Sequence, residues 1–168
     1  ANKIITTGEG GMCVTNNKRM YENLEIVKSH GTAIKRYWHV VTATNARMTN
    51  LQAAIGLSQL EDFEKVLEER KKIYRQYEKL LADYPSVILQ PKFTGEKNSP
   101  WLFTLRVPSI AKEKIVAKMD KLCVETRPGF YPCHVMPAFK KYTKKGQIFP
   151  VAEKISKDII NLPTYVGL

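Results

Sequence analysis

Lys3 stands directly ahead of Ile4-Ile5-Thr6-Thr7-Gly8-Glu9-Gly10-Gly11. A primary amine can condense with a carbonyl group and later carry a proton, and confinement away from water favours its neutral, nucleophilic form. The glycines that follow let backbone reverse tightly or approach a ligand closely. The run has neither the Gly-Lys-Ser/Thr of a phosphate loop nor the GxGxxG of a dinucleotide turn. A lysine beside a glycine turn is more often an ordinary solvated residue, so other positions must decide.

Those positions are of several types. Arg127 precedes Pro128 after a short predicted strand, where a guanidinium can grip paired oxygens bidentately or simply face water. Asn45 is a turn or cap residue, or a donor to an anion, and Arg47 pairs with a phosphate or a surface carboxylate. Trp38 and His39 adjoin on an aromatic stretch. His39 has no second ligand at helical or hairpin spacing, so no metal site is expected. His134, beside Cys133, faces a cleft or satisfies a local hydrogen bond. Glu9 can bond backbone or steady the lysine turn. The cysteines, Cys13, Cys123 and Cys133, have no CxxC spacing, which favours neither a disulfide framework nor a zinc cage. Cys13 reads as packing on a buried strand.

The elements that must position these residues alternate between strand and helix. Residues 4–5 and 12–15 read as strands around the glycine turn. Asn17 caps a helix with Met20, Leu24 and Val27 on one face, ended by Gly31. Residues 32–47 are irregular and long for a connection, which suits binding. Thr49 and Gln52 fit a capping box. The helical pattern that follows runs to about Ala82, apolar nearly all round at first and therefore expected to be buried, then amphipathic, with a bend. Pro85 and the stretch 91–100 mark a boundary. Residues 101–107 read as a strand, 111–122 as a helix, 123–126 as a short strand and 150–160 as a last helix with proline at its start. The expected division is 1–84, the edge of a larger α/β body with a connecting helix, and 85–168, a small α+β domain.

The 168 residues are 43% hydrophobic and 26% charged, which excludes general disorder, and no apolar run is long enough for a membrane span. Nothing resembles a signal peptide, so a cytoplasmic location is expected. The net charge of +11 raises nucleic-acid binding as an option. Its distribution counts against it: 13 basic and 10 acidic residues up to Tyr84, then 14 and 6, mostly lysines scattered at helical intervals. An anionic small substrate suits the excess as well. The chain begins Ala1-Asn2-Lys3 without Met, and reads as a piece of something longer.

Taken together, the motifs are far more specific than any one of them. The segment 2–12 resembles the lysine motif of the DegT/StrS-type sugar aminotransferases, pyridoxal-phosphate enzymes of fold type I. Arg36-Tyr37-Trp38-His39 and Asn45-Ala46-Arg47-Met48-Thr49-Asn50-Leu51-Gln52-Ala53-Ala54-Ile55-Gly56 look like that family's next blocks. Glu125-Thr126-Arg127-Pro128-Gly129-Phe130-Tyr131-Pro132, Phe149-Pro150-Val151-Ala152-Glu153 and Asn161-Leu162-Pro163 resemble its later ones. The Tyr-Trp-His and Glu-Thr-Arg-Pro combinations look most like the perosamine synthase branch.

The resemblance implies an α/β fold of the aspartate aminotransferase kind, of which this chain is the later half. It implies pyridoxal 5'-phosphate held on Lys3, with a lysine there arguing for amino transfer over dehydration. Asn45 matches an asparagine that reaches the cofactor phosphate of a neighbouring subunit, hence a homodimer. Arg127, Trp38 and His39 become substrate contacts, although Trp38 and His39 suit a core or interface equally. The implied reactants are an amino-acid donor, glutamate, and a nucleotide-linked keto-deoxy sugar, destined for lipopolysaccharide O-antigen. Ala46 stands where the family usually has Tyr, and Gly129 where it often has Phe. The family's remaining cofactor residues lie upstream of its lysine, so the isolated chain is expected to be inactive. A non-catalytic dimerisation relative and a basic binding module stand as alternatives.

Overall fold

The computed structural model describes residues 3–144 and 146–168, with backbone alone for Ser109 and Ile110; Asn2, the first residue of the lysine motif, lies outside it. The chain divides into two compact units, Ala1–Glu64 and Lys65–Leu168.

In the first unit, helix α1 (Lys18–Lys28) starts where an amide side chain can satisfy an orphan N–H: Asn17 Oδ1 accepts from Met20 N at 3.0 Å. Helix α2 (Asn50–Glu61) starts with the expected capping box of Thr49 and Gln52. Two expectations fail here. Residues 4–5 and 12–15 form no strand, because neither segment finds a partner strand among the described residues, and Met12 and Val14 are exposed. Cys13 is correspondingly exposed and not packed. Helix α2 is also not buried: Leu51, Ile55, Leu57 and Leu60 all face water, since only one stripe of this helix meets other residues of the unit.

Between the helices, residues 29–46 fold into a compact loop. Ser29 pairs with Asn45 and Thr32 with His39 as isolated antiparallel bridges. His30 N donates to Thr44 O at 3.0 Å, Val40 N to Gly31 O at 2.8 Å and Ala46 N to Lys28 O at 2.8 Å. Gly31 is required at its place: its φ is +72°, and an added Cβ would stand 2.0 Å from the Val41 carbonyl oxygen.

The long helical pattern is interrupted at Asp62, after which α3 (Phe63–Leu81) belongs almost wholly to the second unit. Its Tyr74, Tyr77 and Leu81, three and four residues apart, pack on a four-stranded sheet. The strands are β1 (Ile88–Leu89), β2 (Phe103–Arg106), β3 (Arg127–Pro128) and β4 (Ile159–Leu162), in the order β1-β2-β4-β3 and antiparallel throughout. The register sets Phe103 opposite Leu162 and Leu105 opposite Ile160. Alternation therefore sends these four, with Val107, to the core face, against α3 and helix α4 (Ser109–Lys121). Tyr74 meets Phe103 edge-on at 5.1 Å between ring centres, and Tyr77 lies 4.7 Å from it.

The strand expected at 123–126 does not form. Cys123 takes φ +57° and ends α4 in a left-handed cap, with Val124 N bonded to Met119 O at 2.9 Å, so pairing begins only at Arg127. The last helix, α5 (Pro150–Asp158), stops two residues before its expected end because Ile159 and Ile160 already belong to β4. No described helix is long and apolar enough to cross a membrane.

Candidate active site

Lys3 is exposed, at the start of a segment that runs along α2. The face it meets consists of Gln52, Gly56 and Gln59, spaced four and three residues apart and thus on one side of the helix. Gln59 clamps Thr6 from both sides of the peptide: Thr6 N donates to Gln59 Oε1 at 3.0 Å, and Gln59 Nε2 donates to Thr6 O. Gln52 Nε2 donates to the Glu9 carbonyl at 3.3 Å. Between them, Thr7 lies so close that a Cβ on Gly56 would stand 3.0 Å from Thr7 Cγ2. Within the segment, Thr7 Oγ1 donates to Glu9 O at 2.7 Å and Gly8 N to Thr6 Oγ1 at 3.1 Å. Glu9 thus contributes through its carbonyl.

Trp38, His39 and Asn45 all lie on the folded loop at 29–46, His39 bridged to Thr32 and Asn45 to Ser29. His39 Nδ1 lies 2.8 Å from the His30 carbonyl, an acceptor only, so in the neutral ring Nδ1 carries the proton and Nε2 is the acceptor. Trp38 is half exposed with Lys35 Nζ 4.7 Å from its ring centre. Asn45 Oδ1 accepts from Arg47 N at 3.4 Å and from Arg47 Nε at 3.3 Å, which leaves its Nδ2 as the donor end.

Arg127 belongs to the second unit, on edge strand β3. Its Nε lies 3.5 Å from Glu125 Oε1, and the strand is fixed by Asn161 Nδ2, which donates to the carbonyls of Arg127 at 3.3 Å and Pro128 at 3.0 Å. An open groove of about 720 Å³ runs between α4 and β3, lined by Lys112, Asp120, Cys123, Glu125, Arg127 and Ile160 among others. Gly129 packs so tightly that an added Cβ would stand 2.9 Å from Ile159 Cβ. His134 Nε2 lies 3.0 Å from Glu153 Oε1, the local partner that one reading of the sequence expected. The His134 hydrogen bond first, and the Phe149 N–H second, hold the Glu153 carboxyl below the usual glutamate range.

The tie between Lys3's segment and α2 escaped the sequence reading beyond Gln52's role as a cap. Its signal was present in the Gln-x-x-x-Gly-x-x-Gln spacing, but nothing local says what such a face meets.

The mixed α/β fold is that of the fold-type-I sugar aminotransferases. The solved aminotransferase TlmJ from Streptoalloteichus hindustanus shares it, with a TM-score of 0.86 at 22% identity over 98% of this chain and 44% of that one. Residues 1–168 match the DegT/DnrJ/EryC1/StrS aminotransferase family, and the chain belongs to that family. It is 39% identical to the GDP-perosamine synthase of Escherichia coli O157:H7 over 170 residues and 36% identical to that of Caulobacter vibrioides over 173. Each alignment takes in 99% of this chain, which spans 45% and 46% of the length of those relatives.

Proposed function

We propose that this chain is the lysine-bearing part of a pyridoxal-phosphate aminotransferase that converts a nucleotide-linked keto-deoxy sugar to an amino sugar, with glutamate as donor. The observation that carries the reading is Lys3 at the head of a loop seated on α2, in a chain that matches the family throughout. Identity to perosamine synthases supports a GDP-linked 4-keto-6-deoxyhexose as acceptor.

The donor set suits the cofactor. Lys3 offers the amine for an aldehyde, and Asn45 Nδ2 and the Arg47 guanidinium offer N–H groups and charge for a phosphate. When bound, pyridoxal phosphate supplies the electron sink that makes amino transfer possible. The remaining work falls to the protein's own groups. Lys3 Nζ holds the cofactor and, once released, takes a proton and returns it. Asn45 serves the phosphate of a neighbouring subunit, so the working form is a homodimer. Arg127 pairs with the diphosphate of the sugar nucleotide, while Trp38 stacks on the acceptor and His39 Nε2 accepts from one of its hydroxyls. On this reading residues 1–84 complete a larger cofactor domain, 85–168 form the small domain, and the enzyme works in the cytoplasm.

The test supplies the whole protein with glutamate and a GDP-linked 4-keto-6-deoxyhexose. Formation of amino sugar and 2-oxoglutarate in equal amounts is expected; consumption of neither reactant, nor of other nucleotide-linked keto sugars, contradicts the reading.

A further inference from the structure

Three features lie outside the roles assigned above: the groove beside Arg127, a hollow walled by Trp101 and Phe130, and the face of α2 that carries Lys3's segment. The last is built from paired hydrogen bonds and goes furthest.

Gln52 performs two tasks with the two ends of one amide. Its Oε1 accepts from Thr49 N at 2.9 Å and Thr49 Oγ1 at 3.0 Å, closing the capping box of α2. Its Nε2 donates to Glu9 O. Glutamate serves the first task as well as glutamine does, but a carboxylate has no N–H for the second. Gln59 likewise uses both ends of its amide, on the N–H and the carbonyl of Thr6, as a neighbouring strand would. Gly56 sits between them and admits Thr7. The segment is thereby fixed at Thr6 and Glu9, three and six residues after Lys3.

We propose that Gln52 and Gln59 are positioning residues for the Lys3 amine: the α2 face, by bonding Thr6 and Glu9, sets where Lys3 Nζ meets a carbonyl group. The inference rests on the aminotransferase reading for what Lys3 does, but not for how its segment is held. It also states why a capping-box position open to glutamate carries glutamine.

The decisive variant is Gln52→Glu, which keeps the helix cap and replaces the donor to Glu9 with an acceptor; Gln59→Leu removes both bonds to Thr6. Amide hydrogen exchange of the whole protein, free of cofactor, reads the attachment. In Gln59→Leu the Thr6 amide is expected to exchange roughly fivefold faster or more, as loss of one hydrogen bond implies. In Gln52→Glu residues 8–11 should loosen while the amides of α2 stay as slow as in the wild type. Exchange of residues 4–11 unchanged in both variants, with the helices intact, overturns the proposal.

Borohydride reduction of the whole protein with pyridoxal phosphate, followed by peptide mapping, reads the consequence. The share of label on Lys3 is expected to fall in both variants. A loosened loop with an undiminished share shows a merely structural attachment and also overturns the positioning role. A wild-type protein that takes no label on Lys3 refutes the aminotransferase reading and the positioning role together, while the exchange result still decides whether the glutamines hold the segment.

Discussion

Asn161 holds the strand of Arg127: its Nδ2 donates to the Arg127 carbonyl at 3.3 Å and to the Pro128 carbonyl at 3.0 Å, while its Oδ1 accepts from Thr104 Oγ1 at 2.6 Å. The side chain is 5% exposed, so these bonds form away from competing water. Replacing it by leucine strands two carbonyls and a hydroxyl. Asn161→Leu is expected to lower stability by about 2–3 kcal/mol and, on the proposed reading, to raise the KM for the sugar nucleotide more than it lowers kcat. Denaturant titration and steady-state kinetics of the whole protein measure the two effects; an unchanged KM would separate Arg127 from the substrate.

The Glu153 carboxyl is held below its usual range by His134 and by the Phe149 N–H. A depressed folded value means that the unfolded chain binds the proton first as pH falls. The contribution is therefore complete above the ordinary glutamate value of 4.5 and is lost as pH drops through the lowered one. Glu153→Gln should melt below the wild type near neutrality, and the two should converge in acid. Parallel melting curves down to pH 3 would contradict this.

Burial pushes the Tyr74 phenol up to about 12, and its hydroxyl donates to the Leu102 carbonyl. The unfolded chain releases this proton near pH 10 while the folded one retains it, so stability falls between those values. Tyr74→Phe should cost about 0.5–1.5 kcal/mol at neutral pH and make the alkaline decline shallower. The decline should persist in part, because burial also raises Tyr77. Chemical unfolding across the alkaline range tests both statements.

Gly129 leaves no room for a side chain: an added Cβ would stand 2.9 Å from Ile159 Cβ and 3.2 Å from the Ser156 carbonyl oxygen. One of these neighbours is backbone and cannot swing aside. Gly129→Ala should therefore destabilise by about 1–3 kcal/mol, and Gly129→Phe by more. Wild-type stability in the phenylalanine variant would show that this stretch readily takes another course.

What was legible in the sequence was local. Asn17 and the Thr49–Gln52 box bond donors within three residues, so spacing and residue type suffice. The α3 stripe is legible for the same reason, since its period is intrinsic to the helix. Of the strands, β2 was legible within the expected 101–107, and the others were not. Residues 4–5 and 12–15 have suitable side chains and no partner among the described residues, whereas β4 hides Ile159–Leu162 behind a helical pattern that runs into it. The site divides similarly. Lys3, Asn45 and Arg127 carry recognisable residue types, but the grip of Gln59 on Thr6 spans 53 residues and is defined only by the fold.

The central claim is that Lys3 carries the cofactor, and labelling of the whole protein tests it most directly. Reduction with borohydride in the presence of pyridoxal phosphate should place the label on the peptide bearing Lys3, and Lys3→Ala should lose both that label and amino transfer. Label spread over other lysines, or substantial turnover remaining in Lys3→Ala, would contradict the account.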